Sequence, residues 1–218
     1  MTLRVLVTGF SAFPRAPVNP SEELIAMLAD RPPPEGVDLS LRVLPVEYGR
    51  VPSLLSDIGR AVRPDIAIHF GLADTARGFR LESTARNRCS MVSVDAAGNL
   101  PGAELVCDGP AKLPAMLPLR EIAGALRERG LPVQRSANAG AYLCNYTFYL
   151  SRSGSIQDFR PPMSGFVHIP YLDDQLVALP PARRDGLFTL TRGQLLDGAE
   201  AIIQQCVLAA RRSDKRAA

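Results

Sequence analysis

The stretch Ser136-Ala-Asn-Ala-Gly-Ala-Tyr-Leu-Cys-Asn-Tyr-Thr-Phe-Tyr-Leu150 passes from a loop of small residues into a run of large residues at helical spacing. Small side chains let the loop backbone approach a ligand closely, and the spacing that follows predicts an amphipathic helix. Cys144 would lie in the first turn, where free backbone N–H groups and the helix dipole stabilise a thiolate and lower the thiol pKa. A small buried cysteine gives the same local pattern, so this stretch leaves a structural and a catalytic interpretation open.

Short apolar strands alternate with amphipathic helices on both sides of this stretch. We predict strands at residues 4–9, 37–46, 65–71, 133–136 and 165–170, a strand or hairpin within 77–91, and helices at 20–28, 51–62, 114–129 and from 191 onward. Residues 92–113 and 171–190 are predicted loops, the first of them a lid over a site. The β-α-β order predicts an α/β fold with a parallel or mixed sheet.

Two helix starts carry specific capping signals. Asn19 is a predicted N-cap, and Pro20 suits the first helical position because its missing N–H is not needed there. Thr191 and Gln194 have the spacing of a capping box before the last apolar run. These signals fix where the first and last helices begin.

Length and composition narrow the class of protein. A chain of 218 residues with 46% hydrophobic residues predicts one domain spanning residues 1–218. The net charge of +3 with scattered arginines argues against nucleic acid, and no apolar run reaches the length of a membrane span. The four cysteines show neither C-x-x-C nor zinc spacing, and the chain begins with a strand rather than a signal peptide. We therefore expect free thiols, no metal and a cytoplasmic location.

A reactive cysteine needs a base that accepts its proton and a third group that orients the base. The sequence has two histidines. His69 lies inside a predicted strand and is expected in the core, whereas His168 lies two residues before the end of its strand. Since ligands bind at the carboxyl ends of strands in α/β sheets, His168 is the predicted base by elimination. Glu82 is one candidate for the orienting carboxylate, and three others lie near strand exits: Asp74, Asp173 and Asp174.

Phe10 and Phe13 lie in the loop that leaves the carboxyl end of the first strand, where a ligand is expected. The same two rings would also suit simple packing of the loop. The local sequence does not distinguish the two interpretations.

Several segments, in this order, resemble the pyroglutamyl peptidase I family, also called pyrrolidone carboxyl peptidases. They are Val5-Leu-Val-Thr-Gly-Phe-Ser-Ala-Phe13, Val18-Asn-Pro20, Leu44-Pro-Val46, Gly140-Ala-Tyr-Leu-Cys-Asn145 and Gly165-Phe-Val-His-Ile-Pro-Tyr171. The resemblance covers most of the chain. It implies a phosphorylase-like three-layer α/β/α sandwich with a mixed, mostly parallel sheet, and a cytosolic cysteine peptidase that needs no metal or cofactor.

The resemblance also assigns roles to individual residues. It implies Cys144 as nucleophile, His168 as base and Glu82 as orienting acid. The positions around a bound lactam ring would be Phe10, Phe13, Asn19, Gly71, Leu72 and Tyr142. The implied substrate is a peptide with a blocked N-terminus, from which a pyroglutamyl or similar small cyclic acyl residue is removed; a homo-oligomer is compatible with the sequence.

Two segments depart from the family pattern. Leu72 stands where the family usually has glutamine, which replaces an amide with an apolar side chain. An arginine expected near the nucleophile, within residues 88–99, has no counterpart, and Arg86 and Arg88 are the candidates to replace it.

Two other functions remain as alternatives at this stage. A nucleoside-phosphorylase-like transferase would share the sheet but would need a glycine-rich phosphate loop. A catalytically idle binding protein of the same fold would keep the pocket without the chemistry.

Overall fold

The centre of the protein, in a computed structural model, is a 6-stranded sheet with the strand order β2-β1-β3-β8-β4-β7. The structure describes residues 2–217, with side chains up to residue 213. The strands are β1 (Leu3–Phe10), β2 (Val37–Leu44), β3 (Ile66–Leu72), β4 (Phe79–Glu82), β5 (Thr84–Arg86), β6 (Lys112–Pro114), β7 (Val133–Ser136), β8 (Met163–Ile169), β9 (Tyr171–Leu172) and β10 (Thr189–Leu190). Within the central sheet β4 runs antiparallel to β8, and the other neighbours are parallel. The prediction of a mixed, mostly parallel sheet is confirmed.

The helices form a layer on each face of the sheet. They are α1 (Pro20–Ala29), α2 (Val51–Val62), α3 (Leu119–Glu128), α4 (Leu143–Ser153) and α5 (Arg192–Ala217). One hydrophobic cluster joins α1, α3 and α5 to Val5 and Val7, and a second joins α2 and α4 to Leu6. Successive side chains of a strand point to opposite faces, so one apolar strand supplies both cores of the α/β/α sandwich.

Both predicted helix caps are present. The Asn19 side chain accepts a hydrogen bond from the Ser21 backbone N–H at 3.1 Å. The Thr191 side chain accepts from the Gln194 N–H at 3.1 Å, and the Thr191 N–H donates to the Gln194 side chain at 2.9 Å. These short-range signals could be read from the sequence because both partners are local.

The predicted helix at 114–129 begins later than expected. Residues Lys112–Pro114 form β6 and pair antiparallel with β5, and α3 starts only after Pro118. The predicted loop at 171–190 contains two short 3-10 helices, and its ends, β9 and β10, pair in parallel. Both differences depend on pairing partners that are distant in the sequence.

The segment 92–113 is held against the rest of the chain by hydrogen bonds. The buried Asp95 carboxylate accepts from the backbone N–H groups of Tyr48, Ala97 and Asn99. The Tyr142 hydroxyl donates to the Val94 carbonyl at 3.0 Å. Its role as a lid stays a prediction.

The longest helix of the described chain is α5, with 26 residues. Its apolar side chains contribute to the first hydrophobic cluster, and Cys206 is fully buried among them. None of the helices in residues 2–217 combines the length and the apolar character that crossing a bilayer requires.

Candidate active site

Strand register places His168 between two neighbours at the carboxyl end of β3. In β8 it lies opposite Gly71 of β3 in the parallel pairing and opposite Arg80 of β4 in the antiparallel pairing. Because the sheet fixes this register along its whole length, His168 is held by the backbone and not by a mobile loop. The position of His168 is therefore set by the central sheet.

The His168 ring contacts a buried carboxylate. Its Nδ1 lies 2.8 Å from Glu82 Oε1, and both side chains are buried. Burial would raise the pKa of the Glu82 carboxyl group, but the hydrogen bond and the charge of His168, with a smaller contribution from the Arg80 charge, outweigh it, so that pKa lies below its ordinary value. An ionised carboxylate only accepts hydrogen bonds, so His168 carries its proton on Nδ1 and presents the Nε2 lone pair on the other side.

Three other carboxylates were candidates for the orienting role. Asp74, Asp173 and Asp174 are exposed, and Asp174 bonds to Arg192. Glu82 is the carboxylate that contacts His168 among the described residues. The antiparallel pairing of β4 with β8 brings this carboxylate to the His168 ring.

Arg80 is a charged neighbour that the sequence analysis missed. Its Nε donates to the same Glu82 Oε1 at 3.0 Å, and its Nη1 donates to Thr75 Oγ1 at 3.1 Å. The expected candidates, Arg86 and Arg88, do not take this place: Arg86 donates to the Ala137 carbonyl, and Arg88 is exposed. The available signal was alternation along the strand, which puts residues two apart on one face.

Cys144 is the second residue of α4, in the first turn as predicted, and is half-buried. A Cβ atom added to Gly71 would lie 3.0 Å from its Sγ. Since Gly71 is the sheet neighbour of His168, the sulfur lies over the part of the sheet that carries the imidazole. The structure thus places the Cys144 sulfur against the strand neighbour of His168, whose ring contacts Glu82.

The expected lowering of the Cys144 thiol pKa is wrong for the free protein. Burial first, and the Glu82 carboxylate second, raise the pKa of the thiol to about 12. Arg80 and the N–H at the start of the helix act in the opposite direction but are outweighed. The helix terminus was visible in the sequence, whereas the apolar surroundings come from distant segments. The resting site therefore holds a thiol, which must lose its proton in the step in which it attacks.

A small cavity of about 60 Å³ opens beside the Cys144 sulfur. It is lined by Phe10, Phe13, Asn19, Val46, Leu72, Tyr142, Leu143 and Cys144. Six of these eight were predicted as site residues, and Val46 and Leu143 were not. Among the described residues that line the cavity, none carries a formal charge. The cavity therefore suits a small, uncharged and largely apolar group.

The side chain of Asn19 is engaged within its own loop. Its Nδ2 donates to the Ser11 carbonyl at 3.1 Å, and its Oδ1 accepts from the backbone N–H and the hydroxyl of Ser21. These bonds fix the loop that follows Phe10, the last residue of β1, and that carries Phe13. Asn19 lines the cavity while it stabilises the cavity wall.

Asn145 ties the Cys144 helix to β5 and was not singled out from the sequence. Its fully buried amide accepts from the Arg86 N–H at 2.9 Å and donates to the Arg86 and Arg88 carbonyls at 2.8 Å and 2.9 Å. Three backbone bonds from one side chain hold the first turn of α4 in place.

The family model for pyroglutamyl peptidases matches residues 3–201. The chain belongs to the pyroglutamyl peptidase family. It is 38% identical over 181 residues to the pyrrolidone-carboxylate peptidase of Pyrococcus furiosus, a match that covers 80% of this chain and 84% of that protein. The pyrrolidone-carboxylate peptidase of Chromobacterium violaceum is also 38% identical, over 189 residues that cover 85% of this chain and 84% of that protein.

Solved structures of pyroglutamyl peptidases share the fold. The X-ray structure of pyrrolidone carboxyl peptidase from the hyperthermophile Pyrococcus furiosus superposes with a TM-score of 0.87 at 32% identity, covering 95% of this chain and all of that chain. The predicted family and fold are confirmed, and this pyroglutamyl peptidase family member is a cysteine peptidase of the α/β class.

Proposed function

We propose that the protein hydrolyses the amide bond after an N-terminal pyroglutamyl residue, with Cys144 as nucleophile, His168 as base and Glu82 as the group that orients the base. The observation that carries this proposal is the 2.8 Å contact between His168 Nδ1 and Glu82 Oε1, at the place in the sheet over which the Cys144 sulfur lies. The names of its relatives support the substrate. They favour it over a phosphorylase-like transferase and over an idle binding protein.

The chemistry proceeds by two acyl transfers. As Sγ of Cys144 attacks the pyroglutamyl carbonyl carbon, its proton passes to Nε2 of His168, whose Nδ1–H remains bonded to Glu82. The C–N bond then breaks, the proton moves from His168 to the leaving amine, and a thioester remains on Cys144. Water attacks the thioester with His168 as base, which releases pyroglutamate and restores the thiol.

The tetrahedral intermediates place a negative charge on the former carbonyl oxygen. The first-turn backbone N–H groups of α4, next to Cys144, have no partner inside the helix and would donate to that oxygen. Asn145 holds this turn against β5, so these donors are fixed before substrate binds.

The cavity explains a preference for a blocked N-terminus. A free α-amino group is a cation at neutral pH, and moving a cation into an uncharged apolar cavity is strongly unfavourable. The pyroglutamyl ring carries the same nitrogen as a neutral lactam. The rings of Phe10, Phe13 and Tyr142 and the side chain of Leu72 would pack against its methylene groups.

The free state of the four cysteines supports action in a reducing compartment, and we propose the cytoplasm. A nucleophilic Cys144 requires its thiol to stay reduced. Measuring activity with and without a thiol reductant after mild oxidation tests this requirement.

Hydrolysis of matched arylamides tests the function. The pyroglutamyl, prolyl and glutaminyl arylamides share a leaving group, and only the first has an uncharged N-terminus. We expect cleavage of the pyroglutamyl compound, far slower cleavage of the other two, no turnover in Cys144→Ala, and full turnover in the control Cys107→Ser. A folded wild-type protein that leaves the pyroglutamyl arylamide intact would refute the proposal.

A further inference from the structure

Arg80 and His168 meet at one oxygen atom of Glu82. Arg80 and Glu82 are two residues apart on β4, so their side chains share a face of the strand. Arg80 Nε lies 3.0 Å and His168 Nδ1 lies 2.8 Å from Glu82 Oε1. Both hydrogen bonds that the structure gives the Glu82 side chain end on this oxygen.

The contact between Arg80 and His168 is electrostatic. Arg80 Nη2 lies 3.4 Å from His168 Nδ1. A guanidinium group only donates, and Nδ1 is itself a donor when its proton points to Glu82, so no hydrogen bond joins the two nitrogens. Arg80 therefore acts on the imidazole through its positive charge, and its side chain is only 20% exposed.

We propose that Arg80 is a positioning residue, which holds the Glu82 carboxylate against His168 and sets the pH below which His168 no longer acts as a base. This inference rests on the proposed function, because it gives His168 the role of a base. Arg80 takes its place in the site through the register of β4 against β8.

The charges around His168 determine the sign of the effect. Burial lowers the His168 pKa, Glu82 raises it and Arg80 lowers it, with a net value below the ordinary one. Cys144, the titratable residue of α4 that lies against Gly71, is a neutral thiol at rest because its pKa is raised. Removing the Arg80 charge therefore lets the imidazolium form of His168 persist to higher pH.

Arg80 also affects the orientation of the carboxylate. Its bonds to Thr75 and Glu82 join the turn after β3 to the end of β4. Without them the Glu82 side chain loses its hydrogen bond from Arg80, and a small misplacement of a catalytic group is enough to reduce the rate strongly. A lysine keeps the charge but lacks the fixed fork of donors.

Titration of the histidine rings by NMR tests the inference without requiring activity. The chain has two histidines, so His69, which has no contact with Arg80, is an internal control. We expect the His168 midpoint to rise by about 0.5–1 pH unit in Arg80→Gln, to stay near wild type in Arg80→Lys, and to be unchanged in the surface control Arg77→Gln. Unchanged His168 midpoints in Arg80→Gln would overturn the inference.

The pH dependence of kcat/KM gives the second measurement. With a pyroglutamyl arylamide we expect the acid limb of Arg80→Gln to move to higher pH by the same amount, and kcat at the optimum to fall on the order of tenfold. Arg80→Lys should keep the acid limb and lose part of kcat. A wild-type acid limb in Arg80→Gln would contradict the inference, whereas inactivity of all forms, wild type included, would contradict the proposed function and leave the NMR result to decide on Arg80.

Discussion

Gly71 lies directly against the sulfur of Cys144. A Cβ atom at Gly71 would come within 3.0 Å of Sγ and within 2.8 Å of Cζ of Phe166. Phe166 is fully buried, and its ring lies 4.8 Å from the His168 ring, so it has little room to move away. Glycine is required at position 71 because the sulfur and the ring leave no room for a Cβ atom. Its backbone conformation does not require glycine, since it belongs to an ordinary strand.

In Gly71→Ala the new Cβ atom should displace both the Cys144 sulfur and the Phe166 ring. We expect Gly71→Ala to lose about 1–3 kcal/mol of unfolding free energy, as overpacked cores do, and to lose on the order of 100-fold in kcat/KM from misplacement of the nucleophile. Gly49→Ala is the control, since a Cβ atom there meets nothing within 4 Å. Wild-type kcat/KM in Gly71→Ala would show that the sulfur does not act from this position.

Glu82→Gln tests the orienting role. The amide keeps the shape of the carboxylate, but it no longer specifies a proton on Nδ1 of His168, and it stabilises the imidazolium less. We expect kcat to fall on the order of 10²- to 10⁴-fold with little change in melting temperature. The control is Asp74→Asn, which changes an exposed carboxylate near the end of β3. Equal losses in the two variants would contradict the assignment of Glu82.

Alkylation by iodoacetamide tests the pairing of Cys144 with His168. A thiol whose pKa is raised to about 12 reacts slowly by itself near neutral pH, so its labelling should depend on a neighbouring base. We expect His168→Ala to slow labelling of Cys144 without changing that of the half-buried Cys107. The buried Cys89 and Cys206 should stay unlabelled in the native protein. Peptide mass mapping after brief treatment distinguishes the four sites, and labelling of Cys144 at wild-type rate in His168→Ala would contradict the pairing.

Local signals in the sequence were enough for most of the helices and strands and for the place of Cys144 in its helix. The Asn19 cap, the Thr191 capping box and the position of Cys144 in its helix depend on neighbours within a few residues. The orienting acid depends instead on how β4 pairs with β8, and no local pattern determines the direction of that pairing. Long-range pairing also accounts for the late start of α3, where β6 pairs with β5, and for the position of Arg80. In the sequence Arg80 looks like an ordinary exposed strand residue. The expectation of a lowered thiol pKa was wrong for a related reason, because the segments that bury Cys144 lie far from it in the sequence.

His69 has the structural role that its place inside a strand predicts. It is fully buried, with Nδ1 at 2.8 Å from the Thr8 hydroxyl and Nε2 at 3.0 Å from the Ser151 hydroxyl. Burial lowers the pKa of His69 to about 3. The folded protein therefore keeps this ring neutral in conditions where the unfolded chain, with a pKa of about 6.5 for histidine, binds a proton.

Because the folded pKa is the lower one, this contribution to stability is fully present above about pH 6.5 and is lost as the pH falls from there toward 3. At pH 4.5 the loss is about 2–3 kcal/mol from this group alone. We expect His69→Gln, which cannot titrate, to be less stable than wild type at pH 7, because one of the two hydroxyl bonds is poorly replaced. Its unfolding free energy should fall by about 2 kcal/mol less than that of wild type between pH 7 and pH 4.5. Urea unfolding at the two pH values measures both quantities. The matching change at the other histidine, His168→Gln, should instead abolish activity. Parallel losses in wild type and His69→Gln would mean that His69 is not held neutral in the core.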